Sequence, residues 1–153
     1  MKITPKMTVT TSVFGAGVSH SRTDISVRDV ASVIDEPEVR GGTNAGPAPT
    51  ETALAALAGC TNVIANKCAA KLDVDIGYLS ISIDCLFDRR GVTLTEEIDV
   101  PFRSIEMVVE ADGSASEKDL ARVAAEVAKF CPVAKLFRQA GTKIDELWKK
   151  AET

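Results

Sequence analysis

The alternation of apolar and polar residues near the N-terminus predicts β-strands. Residues 7–14 are rich in Val and Thr, and residues 25–34 are again rich in β-branched side chains. A glycine-containing turn is expected at residues 15–17. We therefore expect an N-terminal hairpin or meander, followed at residues 35–49 by a loop, because glycine, proline and asparagine crowd that segment.

A long helix is predicted from about Thr50 to about Leu72. Glu51 falls in its first turn, where a carboxylate favours the positive end of the helix dipole. Apolar residues cover almost the whole circumference of the first four turns. We therefore expect a buried central helix.

The second half of the chain predicts two strands and two helices. Residues 79–88 and 104–111 alternate as half-buried, antiparallel strands, with Cys85 facing the core. Ser116 with Asp119 resembles a capping box, and the helix that follows turns Cys131 inward. Pro132 suits the first position of another helix, which Gly141 ends. Residues 142–153 fit a strand or a helix equally well.

Length and charge limit the possible functions. A chain of 153 residues with 45% apolar content predicts a single domain, 1–153, with its own core. The net charge of −4 provides no cationic surface for nucleic acid or an anionic membrane. Residues 1–6 contain no apolar signal-peptide core, and no run of eighteen apolar residues occurs. A soluble, cytoplasmic protein is expected.

Four cysteines carry the candidate chemistry. They stand at Cys60, Cys68, Cys85 and Cys131 without a C-x-x-C pair, and His20 is the only histidine, so neither a disulfide framework nor a zinc site is predicted.

Two of these cysteines suggest a redox site. Cys60 lies within the apolar helix and Cys131 directly precedes Pro132. Two thiols on packed helices can be oxidised and reduced in cycles, which makes a thiol peroxidase the first hypothesis. The alternative is that each is a small buried hydrophobe, the role expected of Cys68 and Cys85. The choice depends on whether Cys60 and Cys131 meet in space.

A reactive Cys60 needs a cation. The thiolate is the nucleophile, and an ordinary thiol pKa of about 8.5 leaves little of it at neutral pH. Cys60 lies ten residues from Thr50, roughly 15 Å along the helix, beyond the reach of the dipole. The candidate cations are Arg22, Arg28 and Arg40, of which Arg28 is favoured because it interrupts the apolar pattern of the strand at 25–34, where a strand would hold it firmly. The alternative is that Arg28 points to solvent on the polar face of that strand.

Glu51 is a natural partner for such an arginine, since a carboxylate and a guanidinium pair in bidentate fashion. It precedes Cys60 by nine residues, which places the two on opposite sides of a regular helix. Glu51 therefore acts across a subunit interface, or the helix begins irregularly, or Glu51 only favours the dipole.

Two motifs resemble one known family. Asp35-Glu-Pro with the segment from Gly41 to Cys60, and Phe130-Cys-Pro-Val133, are similar to the signatures of the OsmC/Ohr family, specifically its OsmC-like branch. The resemblance implies an α+β fold with N-terminal strands, a long buried central helix, an antiparallel sheet and two further helices. It also implies an intertwined homodimer.

The same resemblance implies a chemistry. Cys60 would attack a hydroperoxide and become a sulfenic acid, and Cys131 would condense with it to a disulfide. An external dithiol such as a lipoyl group would reduce the pair, and no metal or flavin is implied. The family's arginine is placed on Arg28 and its glutamate on Glu51. The apolar surroundings of Cys60 favour organic hydroperoxides over hydrogen peroxide.

Two other functions remain open. One is a redox-sensing or small-molecule-binding protein on the same fold, whose cysteines respond to oxidants without efficient turnover. The other is a structural dimer with inert buried thiols.

Overall fold

The computed structural model describes residues 7–152, which form two compact units, one ending at Ala53 and the other beginning at Leu54. Residues 1–6 and Thr153, which the sequence assigns to the same single domain, lie outside the described residues.

The first unit contains an antiparallel meander. Its strands are β1 (Phe14–Gly17), β2 (Thr23–Val27) and β3 (Val30–Ile34), in the order β1-β2-β3. The meander is confirmed, but its first strand is displaced from the prediction. Residues 7–13 form no strand, and the glycines expected to make a turn lie in β1, where Gly15 pairs with Ile25 and Gly17 with Thr23. Pairing with β2 overrides the low strand propensity of glycine.

The strand predicted at residues 25–34 is a hairpin. Val27 pairs with Val30, so Arg28 and Asp29 form the connection between β2 and β3. Arg28 is exposed and has a left-handed backbone, with φ 56°. The prediction that a strand holds Arg28 is therefore wrong. An alternating pattern is compatible with a chain that folds back on itself as well as with one that continues straight.

The loop predicted after the meander is confirmed at residues 35–48, apart from one turn of 3₁₀ helix at Glu38–Arg40. Gly41 ends that turn with φ 86°. The two ends of the loop meet, because the Asp35 N–H donates to the Pro47 carbonyl over 3.1 Å.

Helix α1 (Pro49–Leu72) begins within one residue of its predicted start. Pro49 occupies the first helical position, and the Glu51 carboxylate accepts the Ala48 N–H over 2.8 Å. This is the glutamate half of a capping box and explains where the helix begins.

The expectation that α1 is buried all round is wrong for this chain alone. Leu57, Thr61 and Cys68 are buried on one side, whereas Ala56 and Val63 are exposed on another. Among the described residues α1 is also the one helix long and apolar enough to cross a membrane by length and composition, a test that the core helix of a soluble protein passes as well.

The second unit contains a mixed sheet. Its strands are β4 (Leu79–Phe87), β5 (Phe102–Ala111) and β6 (Lys143–Lys150), in the order β4-β5-β6. The antiparallel pairing of β4 with β5 is confirmed. β6 assigns the ambiguous C-terminal segment to a strand, which pairs parallel to β5. Ile105, Met107 and Val109 are buried on one face, while the residues between them are more exposed.

Two helices connect β5 to β6, as a parallel pairing requires. They are α2 (Glu117–Phe130) and α3 (Pro132–Gln139). The Ser116 hydroxyl accepts the Asp119 N–H over 3.1 Å, which confirms the predicted cap of α2. Gly141, with φ 99°, follows the end of α3. Two sheets and three α-helices in the described residues give the α+β arrangement that the sequence predicts.

Candidate functional site

Cys60 and Cys131 are in contact within the second unit. Their Sγ atoms lie 3.3 Å apart, both thiols are free, and the Cys131 thiol donates a hydrogen bond to the Cys60 sulfur. A disulfide bond is about 2.05 Å long, so bond formation requires the sulfurs to approach by about 1.3 Å. The two residues that the sequence could not place together therefore form a pair.

Helix α1 fixes Cys60 at the edge of its buried face. Leu57 and Thr61, one turn before and one residue after it, are both buried. The Thr61 hydroxyl donates to the Met107 sulfur of β5 over 3.7 Å, which ties this part of the helix to the sheet. Cys60 itself stays partly exposed.

Cys131 belongs to two helices at once. Its N–H donates to the Val127 carbonyl over 2.8 Å and so closes α2, while its own carbonyl accepts the Lys135 N–H over 3.1 Å and so opens α3. Pro132 cannot continue α2 but suits the first position of α3. The break between the helices is therefore set by sequence, and Cys131 sits at it, fully buried.

Two contacts hold α3 against the sheet. The Phe137 ring meets the Phe102 ring edge to face, with centroids 5.2 Å apart. The Arg138 guanidinium donates to Glu146 of β6 over 3.0 Å, and the Trp148 indole donates to the other oxygen of the same carboxylate over 3.0 Å. These contacts fix the position of the helix that carries Cys131.

The surroundings of Cys131 favour its protonated form. Burial raises the pKa of this thiol, and its hydrogen bond to Cys60 raises it further, while the backbone N–H groups of Ala134 and Val133 act in the opposite direction. Cys131 therefore carries the proton that it donates. The pair is asymmetric, with a buried thiol donor beside a more accessible acceptor.

The other two cysteines lie apart from this pair. Burial raises the pKa of the Cys68 thiol and of the Cys85 thiol. Neither shares a hydrogen bond with another cysteine in the part of the chain that the structure describes. Both fit the packing role expected of them.

In the first unit, Glu51 is paired with Arg40. One Glu51 oxygen caps α1, and the other lies 3.8 Å from Nη2 of Arg40. The Nε of Arg40 donates to Glu36 over 2.5 Å. The sequence offered an irregular helix start as one explanation of the nine-residue spacing between Glu51 and Cys60. Because α1 begins with a regular cap, that explanation no longer applies.

The remaining arginine candidates have different surroundings. Arg22 forms a bidentate pair with Asp24, at 2.7 and 3.3 Å, and Arg28 lies exposed in the β2–β3 connection. The structure therefore brings together Arg40 and Glu51, whereas the sequence favoured Arg28.

Asp35 belongs to the Asp35-Glu-Pro motif, but the sequence assigned it no role of its own. Its side chain is fully buried, and its carboxylate accepts hydrogen bonds from three backbone N–H groups of the loop that it opens. The available signal was an aspartate at the end of a strand, followed by a run of turn residues, a setting in which aspartate commonly bonds to nearby backbone.

Comparison with known proteins identifies the family of this chain. Residues 42–146, well over half of the chain, match the OsmC family, described as OsmC-like protein. No curated protein matches the chain.

Solved structures share the fold. An OsmC-like protein from Mycoplasma pneumoniae superposes with a TM-score of 0.78 at 19% identity, over 95% of this chain and all of that one. An organic hydroperoxide resistance protein OsmC from Legionella pneumophila gives 0.66 at 17% identity, over 96% and 100% of the two chains. The organic hydroperoxide resistance protein OhrB of Bacillus subtilis gives 0.64 at 18% identity, over 92% and 98%.

The fold predicted from the motifs is thus confirmed by both comparisons. Cys60, Cys131 and the three α-helices around them lie within the matched residues. This chain belongs to the OsmC family of OsmC-like proteins.

Proposed function

We propose that this protein is a thiol-dependent peroxidase that reduces organic hydroperoxides, with Cys60 as the nucleophile and Cys131 as the resolving thiol. The observation that carries the proposal is the 3.3 Å contact between the two sulfurs. Three of the proteins that share the fold are named for organic hydroperoxide resistance, which supports this class of substrate.

The reaction consists of two steps. The Cys60 thiolate attacks the outer oxygen of the hydroperoxide, an S–O bond forms, the O–O bond breaks, and the leaving alkoxide takes up a proton to become the alcohol. The Cys131 sulfur then attacks the sulfur of the Cys60 sulfenic acid, and the departing hydroxide leaves as water with the Cys131 proton. Two electrons pass from the two thiols to the peroxide.

The asymmetry of the pair supports the assignment of roles. A nucleophile must meet its substrate, and Cys60 is the more accessible of the two. A resolving thiol must wait beside it, and Cys131 is fully buried and already in contact.

An arginine and Glu51 complete the proposal. Arg28 remains the candidate taken from the family resemblance, but Arg40 is the arginine that contacts Glu51. One oxygen of the Glu51 carboxylate caps α1, and the other lies 3.8 Å from the Arg40 guanidinium, to which it is opposite in charge. We therefore add Arg40 as the arginine that Glu51 orients.

The partners are proposed on the same basis. An external dithiol such as a lipoyl group returns the disulfide to two thiols, and the protein acts in the cytoplasm as a homodimer. The exposed apolar side of α1, which includes Ala55, Ala56 and Val63, supports a second copy as the occupant of that side.

Peptide mapping by mass spectrometry tests the proposal. The reduced protein receives one equivalent of cumene hydroperoxide, alongside Cys60→Ser and Cys131→Ser. We expect a rapid Cys60–Cys131 disulfide in the wild type and a sulfenic acid on Cys60 in Cys131→Ser. Cys85→Ser is the matched control, because its thiol is partly exposed like that of Cys60 but lies outside the pair.

The outcomes separate the three functions. Continuous consumption of excess hydroperoxide with a dithiol supports the peroxidase, whereas one oxidation per site supports a sensor. Four unmodified thiols after prolonged exposure leave a ligand-binding or structural protein and overturn the proposal.

A further inference from the structure

Glu146 on β6 is a nearly buried carboxylate, and the proposed mechanism does not use it. Its side chain is 13% exposed, and both of its oxygens have a partner. One accepts an N–H of the Arg138 guanidinium of α3 over 3.0 Å, and the other accepts the Trp148 indole N–H over 3.0 Å. Burying a carboxylate is costly unless polar partners replace the lost water. The three side chains therefore form one connected polar group between α3 and β6.

This group determines where α3 lies along the sheet. The Phe137 ring also holds α3 against Phe102 of β5, but the hydrophobic effect that drives such a contact is not directional. A hydrogen bond between a guanidinium and a carboxylate is directional and weakens steeply when its angle changes. The bond from Arg138 to Glu146 therefore fixes the position of α3 more narrowly than the ring contact does.

Arg138 and Cys131 lie at the two ends of one short helix. The Cys131 carbonyl opens α3 by accepting the Lys135 N–H over 3.1 Å. The backbone N–H groups of Val133 and Ala134, in the first turn of α3, lower the pKa of the Cys131 thiol because they bond to its sulfur. Arg138 follows Cys131 by seven residues, about two turns along the same side of the helix. A displacement of Arg138 therefore moves the sulfur of Cys131 with it.

The same part of the sheet also holds the helix that carries Cys60. Glu146 of β6 pairs in register with Met107 of β5, and such partners lie about 5 Å apart. The Met107 sulfur accepts the hydroxyl of Thr61, the residue after Cys60, over 3.7 Å. All of these residues belong to the second unit. Two adjacent positions of one sheet therefore hold the helices of the two thiols.

We propose that Glu146 is a positioning residue for disulfide formation. It holds Arg138 and Trp148 and so fixes α3 against β6. Through α3 it sets the approach of the Cys131 sulfur to the sulfur of Cys60. The inference rests on the proposed function, in which Cys131 attacks the sulfenic acid on Cys60. The two sulfurs are 3.3 Å apart and must come closer, so a small displacement of α3 changes the geometry of that attack.

Glu146→Gln tests the inference when the two reaction steps are timed separately. Glutamine keeps the shape of the side chain but has one acceptor oxygen in place of two, so one of the two donors loses its partner. We expect cumene hydroperoxide to oxidise Cys60 at the wild-type rate and the Cys60–Cys131 disulfide to form about tenfold more slowly. Rapid quenching with dimedone, which captures the sulfenic acid, followed by mass spectrometry measures both steps.

A second readout requires no peroxide. In mixtures of reduced and oxidised dithiothreitol, the ratio of disulfide to paired thiols reports how well the fold aligns the two sulfurs. We expect the equilibrium constant for formation of the Cys60–Cys131 disulfide to be about tenfold lower in Glu146→Gln than in the wild type.

Arg138→Met and Arg138→Lys form a second pair of variants, which keeps the inference testable if Glu146→Gln does not fold. A single guanidinium nitrogen donates to Glu146, so a lysine ammonium can take its place. We expect slow disulfide formation in Arg138→Met and a rate close to that of the wild type in Arg138→Lys. Equal rates in these two variants would overturn the inference. In the Arg138→Met background, Glu146→Gln should cause little further slowing.

Glu110→Gln is the matched control. Glu110 and Lys149 pair across the same two strands, β5 and β6, with 2.8 Å between carboxylate and ammonium, and within residues 7–152 neither side chain bonds to α3. The variant also removes a carboxylate from this strand pair. It should leave both reaction rates and the dithiothreitol equilibrium unchanged. A general loosening of the sheet would affect both glutamate variants, whereas loss of positioning affects only Glu146→Gln.

The outcomes separate this inference from the proposed function. If wild-type protein forms no disulfide with cumene hydroperoxide, the proposed function fails, and the dithiothreitol equilibrium alone decides the role of Glu146. If Glu146→Gln forms the disulfide as the wild type does, or if it slows the oxidation of Cys60 to the same degree, the positioning role is overturned while the disulfide chemistry stands. The role is also overturned if the effects of Glu146→Gln and Arg138→Met multiply.

Discussion

Among single residues, Cys60 and Cys131 show how two identical side chains acquire different roles. Both sulfurs belong to one contact, but the helix break at Pro132 buries Cys131 completely, while α1 leaves Cys60 partly exposed. Access to solvent and the position of the proton then differ between them. The chemistry of the pair depends on these surroundings, since the side chains themselves are the same.

Asp35 gives a second test at this scale, through the pH dependence of stability. The Thr43 hydroxyl, together with the N–H groups of Ala45, Glu36 and Thr43, holds the pKa of the Asp35 carboxyl well below its ordinary range, although burial acts in the opposite direction. An unfolded aspartate has a pKa of about 3.9. The stabilising contribution is therefore complete above about pH 4 and is lost as the pH falls toward the folded pKa.

We expect wild-type protein to exceed Asp35→Asn in free energy of unfolding by a constant amount from about pH 7 down to about pH 4, and by less below it. Urea unfolding at a series of pH values measures the difference. Other carboxylates whose pKa is lowered, such as Asp75, titrate in both proteins. Their contributions therefore cancel in the difference between the two free energies of unfolding. A difference that stays constant to about pH 2 would contradict the assignment.

The sequence predicted the identity of the paired cysteines but not their contact. Cys60 and Cys131 were found because each lies in a helical pattern with a distinctive motif. Their contact depends on how three helices pack on a sheet, which no local pattern encodes. The pairing of Arg40 with Glu51 was missed for the same reason, because the loop between them has no periodicity.

At the scale of elements, the helix ends were the most predictable features. Ser116 and Pro132 each carry a local signal, and each lies at or immediately before a helix start in the structure. The start of α1 was predicted at Thr50, one residue after its actual start at Pro49. These signals act between residues a few positions apart, so the sequence contains them in full.

The strands were less predictable because their partners are distant. Residues 7–13 have the composition of a strand but no strand partner in the part of the chain that is described. β6 has an ambiguous pattern and becomes a strand because β5 provides a parallel edge. Strand formation depends on an available neighbour as well as on propensity.

The cap of α2 provides a prediction about one element. Ser116→Ala removes the hydroxyl that accepts the Asp119 N–H, and we expect a loss of about 1 kcal/mol in the free energy of unfolding. Urea unfolding measures it. Ser82→Ala is the control, because Ser82 is exposed on β4 and its hydroxyl bonds to no described residue. Equal midpoints for the two variants would show that the cap contributes nothing measurable.

At the scale of the whole molecule, the exposed side of α1 is the feature that one chain leaves unexplained. Half of a helix expected to be central faces solvent, and its first turns there are apolar. The sequence therefore showed correctly that α1 is apolar on most sides. Whether each side is buried depends on which other part of the protein, or which partner, packs against it. A second copy of the chain is the occupant that we propose.

Val63→Asp tests the dimer. Val63 is 51% exposed on α1, and a carboxylate placed there would lose its water in an interface between two copies. We expect a dimer for the wild type and a monomer for Val63→Asp by sedimentation velocity.

Val92→Asp is the control, because Val92 is 62% exposed outside α1, between β4 and β5, and should leave the dimer intact. A monomeric wild type, or a dimeric Val63→Asp protein, would show that the exposed side of α1 is not the interface between two copies.

The loop held by Asp35 has a consequence for how such a protein can diversify. Asp35 bonds mainly to backbone groups, and the side chains that point away, such as Glu38 and the 93% exposed Val39, take no part in that frame. The hydrogen bonds that fix the backbone of the loop therefore do not depend on its exposed side chains. New side chains can be introduced at such positions by mutation or by design, and the loop can present a different chemical face without being rebuilt.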